Sequence, residues 1–287
     1  MKQRALPTIL IAAAVAVGLA ACGSDSESGA GSDVGSTLPP VTDGFAHPTG
    51  ADEVVIEYAE VGGFVPVEVA FQETPMILVS GAGELFTPGV VPAIYPGPLV
   101  PALQVQTISE AGIQQLLNAA EEAGLFADID YEQPMQIADA SSARVVINVD
   151  GETYVHEAYA LGLDPDGDES PERQALAGFV EELRTLAAVD ASELGESEVF
   201  SADEFGIRAM AIDDLSNYTS DGIEPTVVEW PADAGVALAD AEDCVVVSAK
   251  AVGETFAESN ALTFFDDGGT TYQVLVKPIL PGTTCGS

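Results

Sequence analysis

RVVINVDGETYVHEAY, residues 144–159, is the stretch that decides the fold class of this chain. Apolar residues alternate with polar ones on both sides of Asp150-Gly151, and alternation of period two indicates β-strands rather than helices. An Asp-Gly pair favours a two-residue turn, because glycine adopts positive φ without steric penalty. The stretch therefore predicts a β-hairpin, and hairpins build antiparallel sheets.

A helix is predicted on each side of this hairpin. Ser109 and Gly124 mark the N-cap and the C-terminal glycine of the first helix. Ser170-Pro171-Glu172 opens the second helix with a cap, a proline at the first helical position and an acid in the first turn, and this helix is predicted to run to about Ala188. The predicted buried residues are Ile113, Leu116, Leu117 and Ala120 in the first helix and Leu176, Phe179, Val180 and Leu183 in the second.

The rest of the chain is also predicted to form strands and hairpins with helices between them. Strands are predicted at 53–64, 205–212, 227–230 and 244–248, hairpins at 75–86 and 262–279, a short helix at 251–259, and a short helix or loop at 232–241. The expected fold class is α+β, with antiparallel sheets built from hairpins and with helices packed on one face. Helix-then-hairpin order occurs at 109–159 and again at 251–279, which suggests two related α+β units.

The segment 89–101, here called the strap, is apolar and rich in proline. Its four prolines exclude both a helix and a central strand, because proline lacks an N–H donor. Two interpretations stay open. The strap is either an exposed recognition segment with Ile94 and Tyr95 as binding residues, or a cover that packs over the sheet and protects an edge.

The N-terminus has the three parts of a secretory signal peptide. Lys2 and Arg4 are followed by the apolar stretch 5–18, which is shorter than the roughly 20 residues of a membrane span. Leu19-Ala20-Ala21-Cys22 then resembles the lipobox of bacterial lipoproteins. The resemblance implies cleavage before Cys22 and attachment of a diacylglyceryl group to its sulfur, so that the mature chain is anchored to a membrane.

The lipobox has a consequence for the other two cysteines, because the chain holds three in all. If Cys22 carries lipid, Cys244 and Cys285 remain, and export places them where disulfides persist. We therefore expect Cys244 and Cys285 to pair; two free thiols are the alternative.

The predicted domain organisation follows from these signals. Residues 1–21 are the signal peptide, and 22–50 are the lipidated N-terminus with a tether rich in Gly, Ser and Asp. Residues 51–190 are expected to form one α+β unit, and 191–287 a smaller second unit packed on the first.

The charge of the chain limits its partners. Residues 1–21 contain Lys2, Arg4 and no acid, so the chain from Cys22 carries 6 Lys and Arg against 47 Asp and Glu, a formal charge of −41. Nucleic-acid binding needs clustered cations, and electrostatic attraction to anionic lipid needs them as well. The expected partners are the membrane, through the covalent lipid, and an envelope protein, a peptide or a cell-wall ligand; nucleic acid is not expected.

The run 164–169, DPDGDE, is the strongest candidate for a metal site. Alternating Asp164, Asp166 and Asp168 could surround Ca²⁺ with oxygen ligands. The run departs from an EF-hand, because Glu169 stands where that loop needs glycine. The alternative is an acidic loop that caps the following helix, with no cofactor bound.

No pattern predicts catalysis. Gly195-Glu196-Ser197-Glu198-Val199 lacks the final glycine of a nucleophile elbow, and Gly81-Ala82-Gly83 fails as a dinucleotide fingerprint. His156 is interpreted as a structural or surface histidine, and Trp230 as a core residue.

Two short segments, 277–282 (KPILPG) and 62–66 (GGFVP), resemble a group of uncharacterised envelope lipoproteins from high-GC Gram-positive bacteria. The resemblance implies an envelope location and an α+β fold. The expected function is a non-catalytic binding or envelope-associated module. The alternatives are a carboxylate-based hydrolase and a calcium-dependent structural or adhesive protein.

Overall fold

The computed structural model describes residues 44–133, 137–163, 169–220 and 222–285. Within these ranges the chain forms twelve β-strands in two sheets and four α-helices. This arrangement confirms the predicted α+β class, with more strand than helix. The relation between two α+β units stays a prediction.

The first sheet has seven strands and is antiparallel throughout. Its strands are β1 (Val54–Val61), β2 (Ile77–Ser80), β3 (Glu84–Pro88), β4 (Leu103–Thr107), β5 (Ser142–Val149), β6 (Glu152–Tyr159) and β7 (Glu198–Val199). Their order in the sheet is β6-β5-β1-β2-β3-β4-β7. The predicted hairpin is β5-β6, and Asp150 and Gly151 turn it with φ of 52° and 81°.

The second sheet has five strands and departs from the predicted antiparallel pattern at one pair. Its strands are β8 (Glu204–Ala211), β9 (Thr226–Glu229), β10 (Val245–Ser248), β11 (Thr263–Asp267) and β12 (Thr270–Pro278), in the order β10-β8-β12-β11-β9. β9 and β11 pair in parallel. The long connection between them, which contains β10 and a helix, allows the chain to return in the same direction.

The four helices are α1 (Val67–Gln72), α2 (Glu110–Glu122), α3 (Pro171–Thr185) and α4 (Ala249–Ala257). Both predicted caps are formed: the Ser109 hydroxyl accepts from the Gly112 N–H and the Ser170 hydroxyl from the Arg173 N–H. α3 ends before Ala188, because Leu186 adopts a left-handed φ of 53°. α1 was not predicted, since six residues carry too little periodicity to distinguish a helix from a strand.

α2 and α3 pack on one face of the first sheet. All eight predicted helical core residues are buried there in one cluster with residues of β1, β2 and β5, which include Ile56 and Val145. Alternation along β5 sends Arg144, Val146 and Asn148 to the other face. The face opposite α2 and α3 therefore carries the polar side chains of β5.

The fold begins before Ala51, the boundary predicted from the sequence. Phe45 packs edge-on against Phe126 at 5.1 Å between ring centroids, and its backbone N–H and C=O bond to the side chain of Gln114. The described residues from Gly44 to Cys285 belong to one compact unit. β7 comes from beyond residue 190 but completes the first sheet, so the two sheets do not divide at the predicted boundary.

Candidate functional site

A groove of about 560 Å³ lies on the face of the first sheet opposite α2 and α3. Its floor is formed by β1, β5 and the start of β6. Its wall is formed by the end of β12 with the residues that follow, and by α1 with the residues up to Pro75. Glu57, Arg144 and Asn148 project from the floor because they occupy the alternate positions of their strands. We refer to this feature as the sheet-face groove.

The wall of the sheet-face groove is held in place by a disulfide. Cys244 and Cys285 are bonded, as the sequence predicted, with the sulfur atoms 2.01 Å apart. The bond joins the residue before β10 to the C-terminal segment that contributes Leu280, Gly282 and Thr283 to the wall. Gly282 passes so close to Val54 that an added Cβ would lie 2.5 Å from its side chain, which is why a glycine is needed here.

An ion pair crosses the floor of the sheet-face groove. The Arg144 guanidinium donates to the Glu57 carboxylate at 3.2 Å, and these partners sit on neighbouring strands. Burial raises the pKa of the Glu57 carboxyl, and the positive charge of Arg144 offsets part of that rise. The Arg144 side chain stays more exposed than that of Glu57, at 37% against 17%.

A second cation stands in the wall. Lys277 is buried, and its Nζ lies 5.2 Å from the centroid of the Phe71 ring, a cation–π contact. Burial lowers the pKa of the Lys277 ammonium. Burial also raises the pKa of the Glu73 carboxyl, which lies on the same wall. Three groups with burial-shifted pKa values thus line one cavity, a pattern that is typical of binding and catalytic sites.

Uncharged hydrogen-bonding groups complete the floor. The Asn148 amide donates to the Val54 carbonyl at 2.9 Å and accepts from the Thr153 hydroxyl at 2.6 Å. These bonds lock the amide in one orientation. The sheet-face groove therefore presents a guanidinium, an ammonium, carboxylates and fixed amide and hydroxyl groups, which suits a small polar ligand with charges of both signs.

The strap combines the two interpretations that the sequence left open. Ile94 and Tyr95 are exposed, as the recognition interpretation requires. Leu99, near the end of the strap, is buried with Phe205 and Phe256 in the core of the second sheet. The middle of the strap is thus a surface feature, and its end anchors it to the fold.

His156 is structural. It is 0% exposed, and its Nε2 donates to the Leu125 carbonyl at 2.8 Å, so its Nδ1 accepts from the Tyr131 hydroxyl at 2.9 Å. Burial lowers the pKa of the imidazole. The surface alternative for His156 is therefore wrong, and the ring ties the segment after α2 to β6.

Trp230 is a core residue, as predicted. Its indole N–H donates to the Val236 carbonyl at 2.8 Å, and its ring meets Phe265 edge-on at 5.6 Å. Both the polar and the apolar part of the side chain are therefore satisfied inside the second sheet's core.

Four predicted site residues lie outside the described residues: Cys22, Asp164, Asp166 and Asp168. Within the described ranges, no three His, Cys, Asp or Glu residues come together in a way that could hold a metal ion. The described helices include none with both the length and the apolar character needed to cross a membrane.

The sheet-face groove was not predicted from the sequence. Arg144 lies in a predicted strand and Lys277 in a predicted hairpin, 133 residues apart, and only the packing of one sheet against the other brings them to one cavity. One signal was available: these are two of only six basic residues beyond residue 21. In so acidic a chain, the position of each cation is informative.

Comparison with known proteins adds no further constraint: no family model, no curated protein and no solved structure matches this chain.

Proposed function

We propose that this protein is an extracytoplasmic lipoprotein, anchored to a membrane through lipid on Cys22, whose folded part is a non-catalytic binding module. The cysteine count carries the first half of the proposal. Cys244 and Cys285 bond to each other, so Cys22 is the one cysteine outside that disulfide, and it stands in the lipobox-like sequence Leu19-Ala20-Ala21-Cys22. Exported proteins rarely keep a cysteine that has no covalent role.

The sheet-face groove supports the second half. Its cations, Arg144 and Lys277, can hold a carboxylate, and Glu57 and Glu73 can hold an ammonium group. A peptide fragment of the cell wall or of an envelope protein carries both groups. We therefore assign the sheet-face groove as the site for such a ligand.

The anchor is tested by intact mass spectrometry of the protein extracted from membranes of a host that lipidates its own lipoproteins. We expect a chain that begins at Cys22 and carries a diacylglyceryl group. Cys22→Ala should remove both the lipid and the membrane association, while the Cys244→Ser/Cys285→Ser variant should keep both. A mature chain without lipid would refute the anchor.

The ligand site is tested by calorimetric titration with short peptides that have free amino and carboxyl termini. Arg144→Met should weaken their binding by at least about tenfold, because a charge-assisted pair is lost. Arg208→Met is the matched control, since Arg208 is a half-buried arginine that bonds to the Glu242 carbonyl away from the groove. Equal affinities for the two variants would contradict the assignment.

A further inference from the structure

The middle of the strap is an exposed apolar patch. Val90, Val91, Ile94 and Tyr95 are 85%, 51%, 67% and 53% exposed, within six consecutive residues. Isolated exposed apolar side chains are common, but a contiguous group marks a contact with protein or with membrane.

The chain around this patch carries no charge. From Leu85 to Ser109 there is no Asp, Glu, Lys, Arg or His, whereas 19% of the whole chain is charged. A stretch of this length would hold about five charged residues at that average. The surface that contacts the strap must therefore be one that needs no charged partner.

The strap is held in shape from both ends. The Gly89 N–H donates to the Ala102 carbonyl at 2.8 Å, and the Ala261 N–H donates to the Gly97 carbonyl at 2.9 Å. Prolines at 92 and 96 restrict the backbone between these bonds. A contact made by the strap consequently costs little conformational entropy.

We propose that the strap inserts Val90, Val91, Ile94 and Tyr95 into the interface of a lipid bilayer and so fixes the folded part on the membrane surface. Aliphatic side chains beside a tyrosine suit the boundary between headgroups and acyl chains, where the tyrosine ring meets lipid and its hydroxyl meets water. A second copy or another protein fits less well. Four partly covered side chains offer roughly 500 Å² at most, against about 800 Å² per partner in a stable protein interface.

The length of the N-terminal segment also favours lipid. This holds for a chain that carries the proposed lipid anchor on Cys22. The Gly/Ser/Asp-rich sequence of residues 23–44 predicts a flexible tether with a relaxed span of roughly 26 Å and an extended reach of roughly 75 Å. The bilayer is thus the surface that the strap meets at the highest effective concentration.

The charge of the chain sets the lipid preference. The formal charge of −41 on the chain from residue 22 repels anionic headgroups, so the strap should bind neutral phosphatidylcholine vesicles more tightly than vesicles that contain phosphatidylglycerol. Salt should reduce the difference, because the screening length falls from about 30 Å at 0.01 M to about 3 Å at 1 M. A protein held by basic residues would show the opposite dependence on lipid charge.

The test uses the mature chain with Cys22→Ser, which has no lipid, in a Tyr95→Trp background. Vesicles of phosphatidylcholine brominated on its acyl chains should quench the new indole, whereas the buried Trp230 of the parent sets the background. Adding Val91→Ser/Ile94→Ser should weaken vesicle binding by at least about tenfold, because two apolar side chains no longer enter the lipid. Val155→Ser/Val199→Ser, two other exposed valines, is the matched control.

Three outcomes would overturn the proposal: no quenching at any lipid concentration, quenching unchanged by Val91→Ser/Ile94→Ser, or self-association in sedimentation experiments that this variant abolishes without any lipid dependence. Because the test protein has no lipid, its result is independent of the anchor. Failure of the Cys22 mass experiment with quenching intact would remove the anchor and leave the strap as a membrane contact.

Discussion

The two faces of the seven-stranded sheet are built from the same strands but differ in chemistry. One face lies under α2 and α3, and its side chains are buried and apolar except for His156. On the other face, Glu57, Arg144 and Asn148 stand at alternate positions on the floor of the sheet-face groove, and Leu78, Phe86 and Leu103 form a smaller buried apolar cluster on the neighbouring strands. Since a β-strand sends successive side chains to opposite sides, one sequence can build a core and a polar site together. The core face is buried under two helices, and the groove face holds the polar cavity.

The largest expected effect concerns the wall of the groove face. Cys244→Ser/Cys285→Ser opens a loop of 42 residues, counting from 244 to 285 inclusive, and should lower the free energy of unfolding by about 4 kcal/mol. Urea denaturation of this variant and of wild type measures the loss. Reduced wild type is the control and should match the variant. A loss below about 1 kcal/mol would mean that the wall is held by packing alone.

The two faces should respond differently to truncation. Leu116→Ala, on the core face, should cost about 3 kcal/mol, because a fully buried leucine leaves a cavity. Val146→Ala, on the groove floor, should cost about 1 kcal/mol or less, since this side chain is only partly buried. Thermal and urea denaturation measure both values. Equal losses would remove the distinction between core and site.

Acidification should lower the free energy of unfolding through His156, which lies on the core face. The pKa of His156 lies below 6.5, so the neutral ring contributes stability that is present above pH 6.5 and lost as pH falls through the lowered pKa. One proton limits the slope to about 1.4 kcal/mol per pH unit. His156→Gln should remove this slope, whereas His47→Gln should keep it. A stability profile of wild type that is flat below pH 6.5 after correction for the carboxylates would contradict the assignment.

On the groove face, Glu57 should change the free energy of unfolding with pH in the direction opposite to His156. This is the smallest expected effect. The pKa of Glu57 is raised, so its contribution is fully present below pH 4.5 and is lost as pH rises through the raised pKa. Glu57→Gln should therefore leave stability at neutral pH unchanged or higher by a few tenths of a kcal/mol. Glu152→Gln, at an exposed carboxylate, is the control. A loss above about 1 kcal/mol for Glu57→Gln would show that the Arg144 pair stabilises the fold.

The hairpin β5-β6 and the helices α2 and α3 were predictable because their signals are local. Asp150-Gly151 specifies its own turn, and Ser109 and Ser170 cap helices within three residues of themselves. Strand β7 and helix α1 were missed because they are too short for a period to be read. The parallel pair β9-β11 was missed for another reason, since nothing in either strand records which neighbour it will meet.

The residues of the site also divide into those that the sequence could group and those that it could not. Cys244 and Cys285 could be paired from a count of three cysteines, because a disulfide has one partner and few candidates. Glu57, Arg144 and Lys277 could not be grouped, because the chain has 47 carboxylates and their spacing selects none. The strap lies between the two cases. Its proline content predicted an irregular segment, but the burial of Leu99 and the exposure of Tyr95 depend on what packs around each.

Local chemistry along the chain was thus enough to determine the turns, the capped helices, the alternation of strands, the excess of negative charge and the lipobox-like start. Each of these depends on residues that are neighbours in sequence. Only the tertiary structure decided which strands pair, which part of the sheet α2 and α3 leave uncovered, and which of many carboxylates meet a cation. Those outcomes depend on contacts between residues far apart in the chain, which are formed only when burial of the whole core repays the loss of chain entropy.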